Sequence, residues 1–332
     1  MINVTIKDIA RMSDVSTATV SRVLNNNGYA SAEIRDRVLS VAKQLNYQPN
    51  GIARSLKMDR TSTIGVIIPD ISNPYFMRIS KGIEDTLEQS GYILMFVSSD
   101  ENPHKEEKTL HALLKNRVQA IVLATSSEND ETITKIQEKG VPVVLIDRKL
   151  GDHSGHLDSV VEDNVEGAYQ LTKYLLQKGH RHIGVINGTL EVSTGRERYE
   201  GYKRAIREFQ IEEDPELVFN GKFNQEDGEE AVTHFFTLDQ KPTAILSFNN
   251  TMTFGVILQL AKMGYTVPDD IVVASYGDTE ASQLLKPPGI VCIKQSPYDM
   301  GVKVGEILLN QLNGHAKEPV HEIFKPELDI RD

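Results

Sequence analysis

The 332-residue sequence contains a single cysteine, Cys292, no tryptophan, and only 6% aromatic residues. One thiol excludes an intrachain disulfide framework and suits a reducing compartment, so a cytoplasmic protein is expected. No apolar run approaches the roughly 20 residues needed to span a bilayer, and the N-terminus leads directly into a polar, helix-forming segment. Neither a membrane span nor a signal peptide is therefore expected. Catalytic signatures are missing too: there is no Gly-x-Gly-x-x-Gly after a first strand, no Gly-Lys-Ser/Thr phosphate loop and no Gly-x-Ser-x-Gly. His153 with His156 and His180 with His182 are close pairs, but no His-Glu-x-x-His helix or cysteine cluster accompanies them, so no metal is expected. Cys292 sits in the apolar run Ile290-Val291-Cys292-Ile293 and reads as inert core. These absences point away from an enzyme and imply no cofactor. The chain has 39% hydrophobic and 25% charged residues, which suits two or three globular domains at this length.

The net charge of −11 is unevenly spread. Residues 1–60 hold nine Lys or Arg against five Asp or Glu, whereas the remainder holds 27 against 42. A basic head on an acidic body directs nucleic acid to the head. Within that head, Ile6, Ile9 and Ala10 fit one face of a short helix behind Thr5 as N-cap, and Ser13 and Asp14 interrupt it. Ser16 then caps a second helix with Val20, Val23 and Leu24 on its inner face. Two short helices joined by a tight turn make a helix-turn-helix, whose second helix enters the DNA major groove. Its outer face offers Thr17, Ala18 and Arg22 to base edges; Arg22 can fork two hydrogen bonds onto guanine. Thr5, Ser16, Thr19 and Ser21 are small donors suited to phosphates. A third helix from Ser31, with Ile34, Val38, Val41, Ala42 and Leu45, closes the small core.

The run Val4-Thr5-Ile6-Lys7-Asp8-Ile9-Ala10, followed by Val15-Ser16-Thr17-Ala18-Thr19-Val20-Ser21-Arg22-Val23-Leu24-Asn25, resembles the head of lactose-repressor-type (LacI family) transcription regulators. The resemblance implies that Thr17, Ala18 and Arg22 face the bases of a palindromic operator read by a homodimer. Residues 50–57, Asn50 to Lys57, resemble the family's hinge helix. Asn50 can cap it, and the segment is too short to hold helical structure alone. By the resemblance Leu56 wedges into the minor groove while Ala53 and Arg54 lie along it, an apolar lever that bends DNA.

The body contains a repeat. Ile64-Gly65-Val66-Ile67 recurs as Ile183-Gly184-Val185-Ile186, and Ala120-Ile121-Val122-Leu123 is echoed by Ala244-Ile245-Leu246. Each reads as a buried parallel strand, and helical patterns lie between them. The expected fold is a small all-α helix-turn-helix head plus an α/β body of two doubly wound parallel-sheet lobes, similar to periplasmic sugar-binding proteins. The expected domains are a head at 1–46, a hinge at 47–61, one lobe from 62–161 and 291–323, and a second from 162–290 and 324–332.

Ligands of such sheets sit beyond the strand carboxyl ends, here in the cleft between lobes. Asn73, Tyr75 and Phe76 follow the first strand, although Phe76 fits the core equally well; Asp147 and Arg148 end another. The resemblance adds Arg196, with Arg198 structural, and Phe223, Asn249 and Gln295. The chain departs from the family at Gly277 and Asn250, where relatives often carry aspartate. Fewer acids beside Arg148 and Arg196 lead to the expectation of an anionic effector, a sugar acid or sugar phosphate, rather than a neutral sugar. The reading is a transcription regulator, most simply a repressor, controlled by a small carbohydrate-type effector. One alternative gives control to a phosphorylated carrier protein, because Ser296-Pro297-Tyr298-Asp299-Met300-Gly301 resembles a segment of catabolite-control relatives and Lys303 is nearby. Others are a solute-binding protein or an enzyme on the same fold.

Overall fold

A computed structural model describes residues 4–24, 28–47, 61–126, 130–151, 154–315 and 318–330. The chain divides into two compact units, Met1–Thr61 and Ser62–Asp332. The hinge residues Asn50, Ala53, Arg54 and Leu56 lie outside the described residues.

In the first unit, α1 spans Ile6–Met12, α2 Thr17–Leu24 and α3 Ala32–Gln44. Thr5 starts α1: its amide and its hydroxyl both donate to Asp8 Oδ2, at 3.0 and 2.7 Å. Asp14 takes a left-handed φ of +49° in the turn. Ser16 Oγ then accepts from the Thr19 amide at 3.1 Å and opens α2. Ile9, Ala10, Val20, Val23, Val38 and Ala42 make one closed core. So small a core suffices because three short amphipathic helices each bury one stripe.

The second unit has two six-stranded sheets. The strands are β1 (Thr63–Ile68), β2 (Ile93–Ser98), β3 (Ala120–Leu123), β4 (Val143–Ile146), β5 (Asp158–Glu162), β6 (Ile183–Asn187), β7 (Val218–Asn220), β8 (Ala244–Ser247), β9 (Val272–Tyr276), β10 (Val291–Lys294), β11 (His321–Phe324) and β12 (Glu327–Asp329). The first sheet runs β11-β5-β4-β3-β1-β2 and the second β12-β10-β9-β8-β6-β7. The orders match strand for strand, and the repeated Ile-Gly-Val-Ile motifs are β1 and β6 at equivalent places. Their glycines have one physical reason. A Cβ at Gly65 would stand 2.5 Å from Leu113, and one at Gly184 would stand 2.7 Å from Phe235. In each lobe a helix side chain lies directly on the strand. The sheets differ at one edge: β11 pairs parallel with β5, whereas β12 pairs antiparallel with β10.

The helices that position the cleft are α4 (Pro74–Leu87), α5 (Pro103–Lys115), α7 (Asn164–Gln177), α8 (Ser193–Glu208), α9 (Gln225–Phe235), α10 (Asn250–Lys262) and α11 (Pro297–Leu312), with α6 (Asp130–Glu138) between β3 and β4 in the chain. One boundary needs correction. Residues 291–294, assigned from sequence to the first lobe, form β10 in the second sheet, paired with β9 and β12. The run Val291-Cys292-Ile293 is buried as a central strand, so the chain leaves the second sheet only after Lys294.

Candidate functional site

A cavity of about 640 Å³ lies between the two lobes and is lined from both. The β1–α4 turn supplies Asn73, Tyr75 and Phe76. Asn73 caps α4, its Oδ1 accepting from the Tyr75 amide at 3.0 Å, and Pro74 at the first helical position fixes that start. Across the cleft Asn73 meets Asn250, and each amide donates to the other at 3.3 and 3.0 Å. Asn250 therefore serves as a reciprocal partner where an aspartate could only accept. Phe76 belongs mainly to the core of the first lobe, 5% exposed, while its edge reaches the cavity. Tyr75 is tied to the next strand end, its hydroxyl donating to Asp147 Oδ1 at 2.9 Å.

Asp147 and Arg148 are both nearly sealed, and Asp147 has a left-handed φ of +65°. Such a conformation costs of order 1–3 kcal/mol and persists only where its surroundings hold it. Burial pushes the Asp147 carboxyl up, against the pull of the Arg198 and Arg148 guanidiniums. Arg148 does not face the cavity as a free cation. Glu101 takes it by both oxygens, at 2.5 and 2.7 Å, and the Thr125 carbonyl accepts at 3.0 Å. The loop bearing Thr125 is itself held by buried Glu106, which accepts from Thr125 Oγ1 and the Ser126 amide. The ring of Phe223, from the second lobe, lies 5.5 Å from the Arg148 guanidinium. Phe223 also has a left-handed φ, +66°, and sits directly over Gly188.

The arginine assignment in the second lobe is overturned. Arg196 is exposed and does not line the cavity; its Nη1 donates to the carbonyls of Leu190 and Glu191. Arg198 is the cavity residue, 5% exposed. Its Nε donates to Asn164 Oδ1 at 2.8 Å, its Nη1 to the Phe248 carbonyl at 2.6 Å, and its guanidinium stacks 3.8 Å from the Tyr276 ring. Thr194, Arg198 and Tyr202 are buried at intervals of four along α8, so extending the apolar stripe of Tyr202 and Ile206 backwards leads to Arg198. Arg196 lies two residues round the helix, on the solvent side.

Asn249 lines the cavity, but its Oδ1 caps α10 by accepting from the Met252 amide at 2.6 Å. Gln295 lines it as well, and its Nε2 donates to Glu162 Oε2 at 2.6 Å. Sequence reasoning missed Glu101, Glu162 and Arg198, and read Asn250 only as a lost carboxylate. Asp278 does not replace the missing acid at 277: it accepts from the Thr279 amide and Ser282 Oγ instead. The two arginines are thus opposed by Glu101, Asp147 and Glu162, which removes the electrostatic ground for an anionic ligand.

The Ser296–Gly301 segment is the start of α11. Met300 is fully buried and Gly301 packs against the Ile79 carbonyl of α4, so helix packing accounts for that half of it. Tyr298 is exposed and donates to Asp85, and Lys303 lies 3.5 and 3.6 Å from Glu306 and Glu322. Among the described residues no group of three or more His, Cys, Asp or Glu is placed to hold a metal ion. No helix among them is long and apolar enough to cross a membrane.

In the first unit, α2 exposes Thr17, Ala18 and Arg22 together, and Ser21 is half-buried beside them. Ser16 and Thr19 share a hydroxyl–hydroxyl bond of 2.9 Å at the start of that helix. The exposed trio has the arrangement of a recognition face, with the capping hydroxyls at its N-terminal edge.

Comparison with known proteins agrees with this anatomy. Residues 5–50 match the model for "bacterial regulatory proteins, lacI family", and residues 61–319 match that for "periplasmic binding proteins and sugar binding domain of LacI family". The HTH-type transcriptional repressor PurR of Histophilus somni (strain 129Pt) is 34% identical over 330 residues, covering 98% of each chain. The lac repressor dimer bound to operator and the anti-inducer ONPF superposes with a TM-score of 0.83 at 25% identity, over 99% of this chain and 98% of that one. A CelR–cellobiose complex gives a TM-score of 0.73 at 26% identity, over 99% of both chains. The chain belongs to the lacI family of bacterial transcription regulators, with a helix-turn-helix DNA-binding region and a body of the periplasmic-binding-protein type.

Proposed function

We propose that the protein is a cytoplasmic, homodimeric repressor that reads a palindromic operator through Thr17, Ala18 and Arg22, and that a small neutral carbohydrate in the cleft sets its affinity for DNA. It is a regulator, not an enzyme. The observation that carries the effector class is the charge balance of the cavity: Glu101 already closes on Arg148, and Asp147 and Glu162 face Arg198. An anion would have to displace Glu101 from a buried bidentate pair. A neutral polyol leaves that pair in place and still finds amide, carboxylate and guanidinium groups for its hydroxyls, with the Tyr75 and Phe223 rings for its C–H face. The cellobiose carried by the CelR relative is of this class. The edge strand β2 exposes Ile93, Met95 and Phe96, an unpaired apolar edge that a second copy can cover.

The test is selection of bound sequences from random duplexes, followed by measurement of affinity for the selected site with neutral sugars, sugar acids and sugar phosphates. A palindromic consensus and a response to neutral sugars alone are expected. Equal binding to every duplex would remove the regulator reading, and a response confined to acids or phosphates would remove the neutral effector.

A further inference from the structure

Behind Gln295, outside the lining of the cavity, lies a buried carboxylate whose placement has its own consequence. Glu162 is the last residue of β5, where the chain leaves the first sheet, and Gln295 follows β10, where it leaves the second. Glu162 is 4% exposed and accepts from Gln295 Nε2 and from the Ser296 amide. The charged and titratable groups around it are Arg198 and Asp147, with the phenols of Tyr75 and Tyr276. Burial holds its carboxyl up at about 7. Gln295 lines the cavity, and with its NH₂ turned toward Glu162 its Oε1 lies on the side of Gly277 and Asn250. Among the described residues nothing donates to that oxygen. A Cβ at residue 277 would stand 2.5 Å from it, and the φ of +89° there disfavours any side chain. The amide oxygen thus occupies the room that a residue-277 side chain would need.

We infer that Glu162 is a positioning residue: it turns the Gln295 amide so that the oxygen faces the cavity, and the effector presents an O–H or N–H donor at that point. An ionised carboxylate only accepts, so it selects the NH₂ end of the amide, whereas a residue able to donate would also permit the reverse orientation. The acceptor that the resemblance places on an aspartate at 277 is supplied in this chain by Gln295 across the emptied site. That the donor is a sugar hydroxyl rests on the carbohydrate reading above; the orientation of the amide does not.

Two measurements on the full chain test this. With ¹⁵N in glutamine side chains, the Gln295 NH₂ resonance, identified by its loss in Gln295→Leu, is expected to move between pH 5.5 and 8.5 in the wild type and to stay still in Glu162→Gln. A resonance indifferent to pH in the wild type, or moving alike in both, overturns the inference. Calorimetric titration with D-ribose, D-glucose and cellobiose is expected to show at least a tenfold loss in Glu162→Gln for any sugar that binds the wild type, with partial recovery in Glu162→Asp. Equal affinity in wild type and Glu162→Gln overturns it. If no sugar binds the wild type, the carbohydrate reading fails, and the resonance alone decides the orientation.

Discussion

Replacing Glu162 by glutamine changes how stability depends on pH, and the size of the change follows from the burial of that carboxyl. An ordinary glutamate has a value of 4.5; here burial raises it to about 7, against the opposing pull of Gln295 and Arg198. A raised folded value means that the folded chain holds the proton more tightly than the unfolded chain. Below 4.5 both states are protonated and the group makes no difference. Between 4.5 and about 7 the unfolded chain ionises first, so stability falls as pH rises; above 7 the loss is complete. A displacement of this size corresponds to about 3 kcal/mol. Glu162→Gln removes the ionisation and keeps a group able to bond Gln295. Relative to wild type the variant should gain about 3 kcal/mol between pH 4.5 and 8, or roughly 6 °C in the midpoint of the body's transition. The nearby Asp147 carboxylate also pushes the Glu162 carboxyl up, so the gain includes relief of that repulsion. Thermal and urea unfolding of both proteins at half-unit steps of pH would show it. A stability difference that stays constant across this range would refute the reasoning.

Five other outcomes are expected. Arg22→Ala should cost about 1–3 kcal/mol at one operator position and relax the base preference there; an even loss over all sequences would assign Arg22 to phosphate. Leu56→Ala should reduce operator bending in a mobility assay, and an unchanged bend would remove that side chain from the proposed minor-groove wedge. Arg196→Ala should leave stability within about 0.5 kcal/mol and the effector response intact, since the side chain is exposed and bonds only local carbonyls. Arg198→Lys should abolish the response while DNA binding persists, and the reverse pattern in operator-release titrations would restore Arg196. Operator DNA should change effector affinity by the same factor by which effector changes operator affinity, about 5–150-fold, as linkage requires; unequal factors from paired calorimetric and DNA-binding titrations would refute a single coupled equilibrium.

The fold was legible because its signals are periodic and local. Ile64-Gly65-Val66-Ile67 and its echo are continuous apolar runs, and only a strand covered on both faces uses such runs. Asn73, Tyr75, Asp147, Arg148, Phe223, Asn249 and Gln295 all line the cavity, as strand-end positions in this topology should. What failed depends on angle and on distant partners. Arg196 and Arg198 differ by two residues, and only the phase of α8 separates solvent from cavity. Glu101 is 47 residues from Arg148, and Glu162 is 133 from Gln295. Neither separation leaves a periodic trace, so the opposing acids were invisible and the cavity read as more cationic than it is. The same blindness placed the lobe crossing at 290, because an apolar run does not say which of two sheets it joins.

Those long-range pairs bear on control. The lobes are joined by Asn73 with Asn250, by Phe223 over Arg148, by Gln295 with Glu162, and by Lys149, whose amide donates to Ser193 and whose ammonium meets Glu197 at 2.8 Å. A ligand shifts an equilibrium only by its differential affinity for the two states. In this cleft that difference arises where the ligand replaces or adds to these cross-lobe bonds. A ligand contacting only Tyr75, Phe76 and Asp147 on one lobe would bind without changing how the lobes sit. One that reaches Arg198 or Gln295 as well joins lobe to lobe and competes with bonds already made there. The effector specificity of this protein and its capacity to signal therefore depend on the same residues, and variants at Glu162 or Arg198 should change both together.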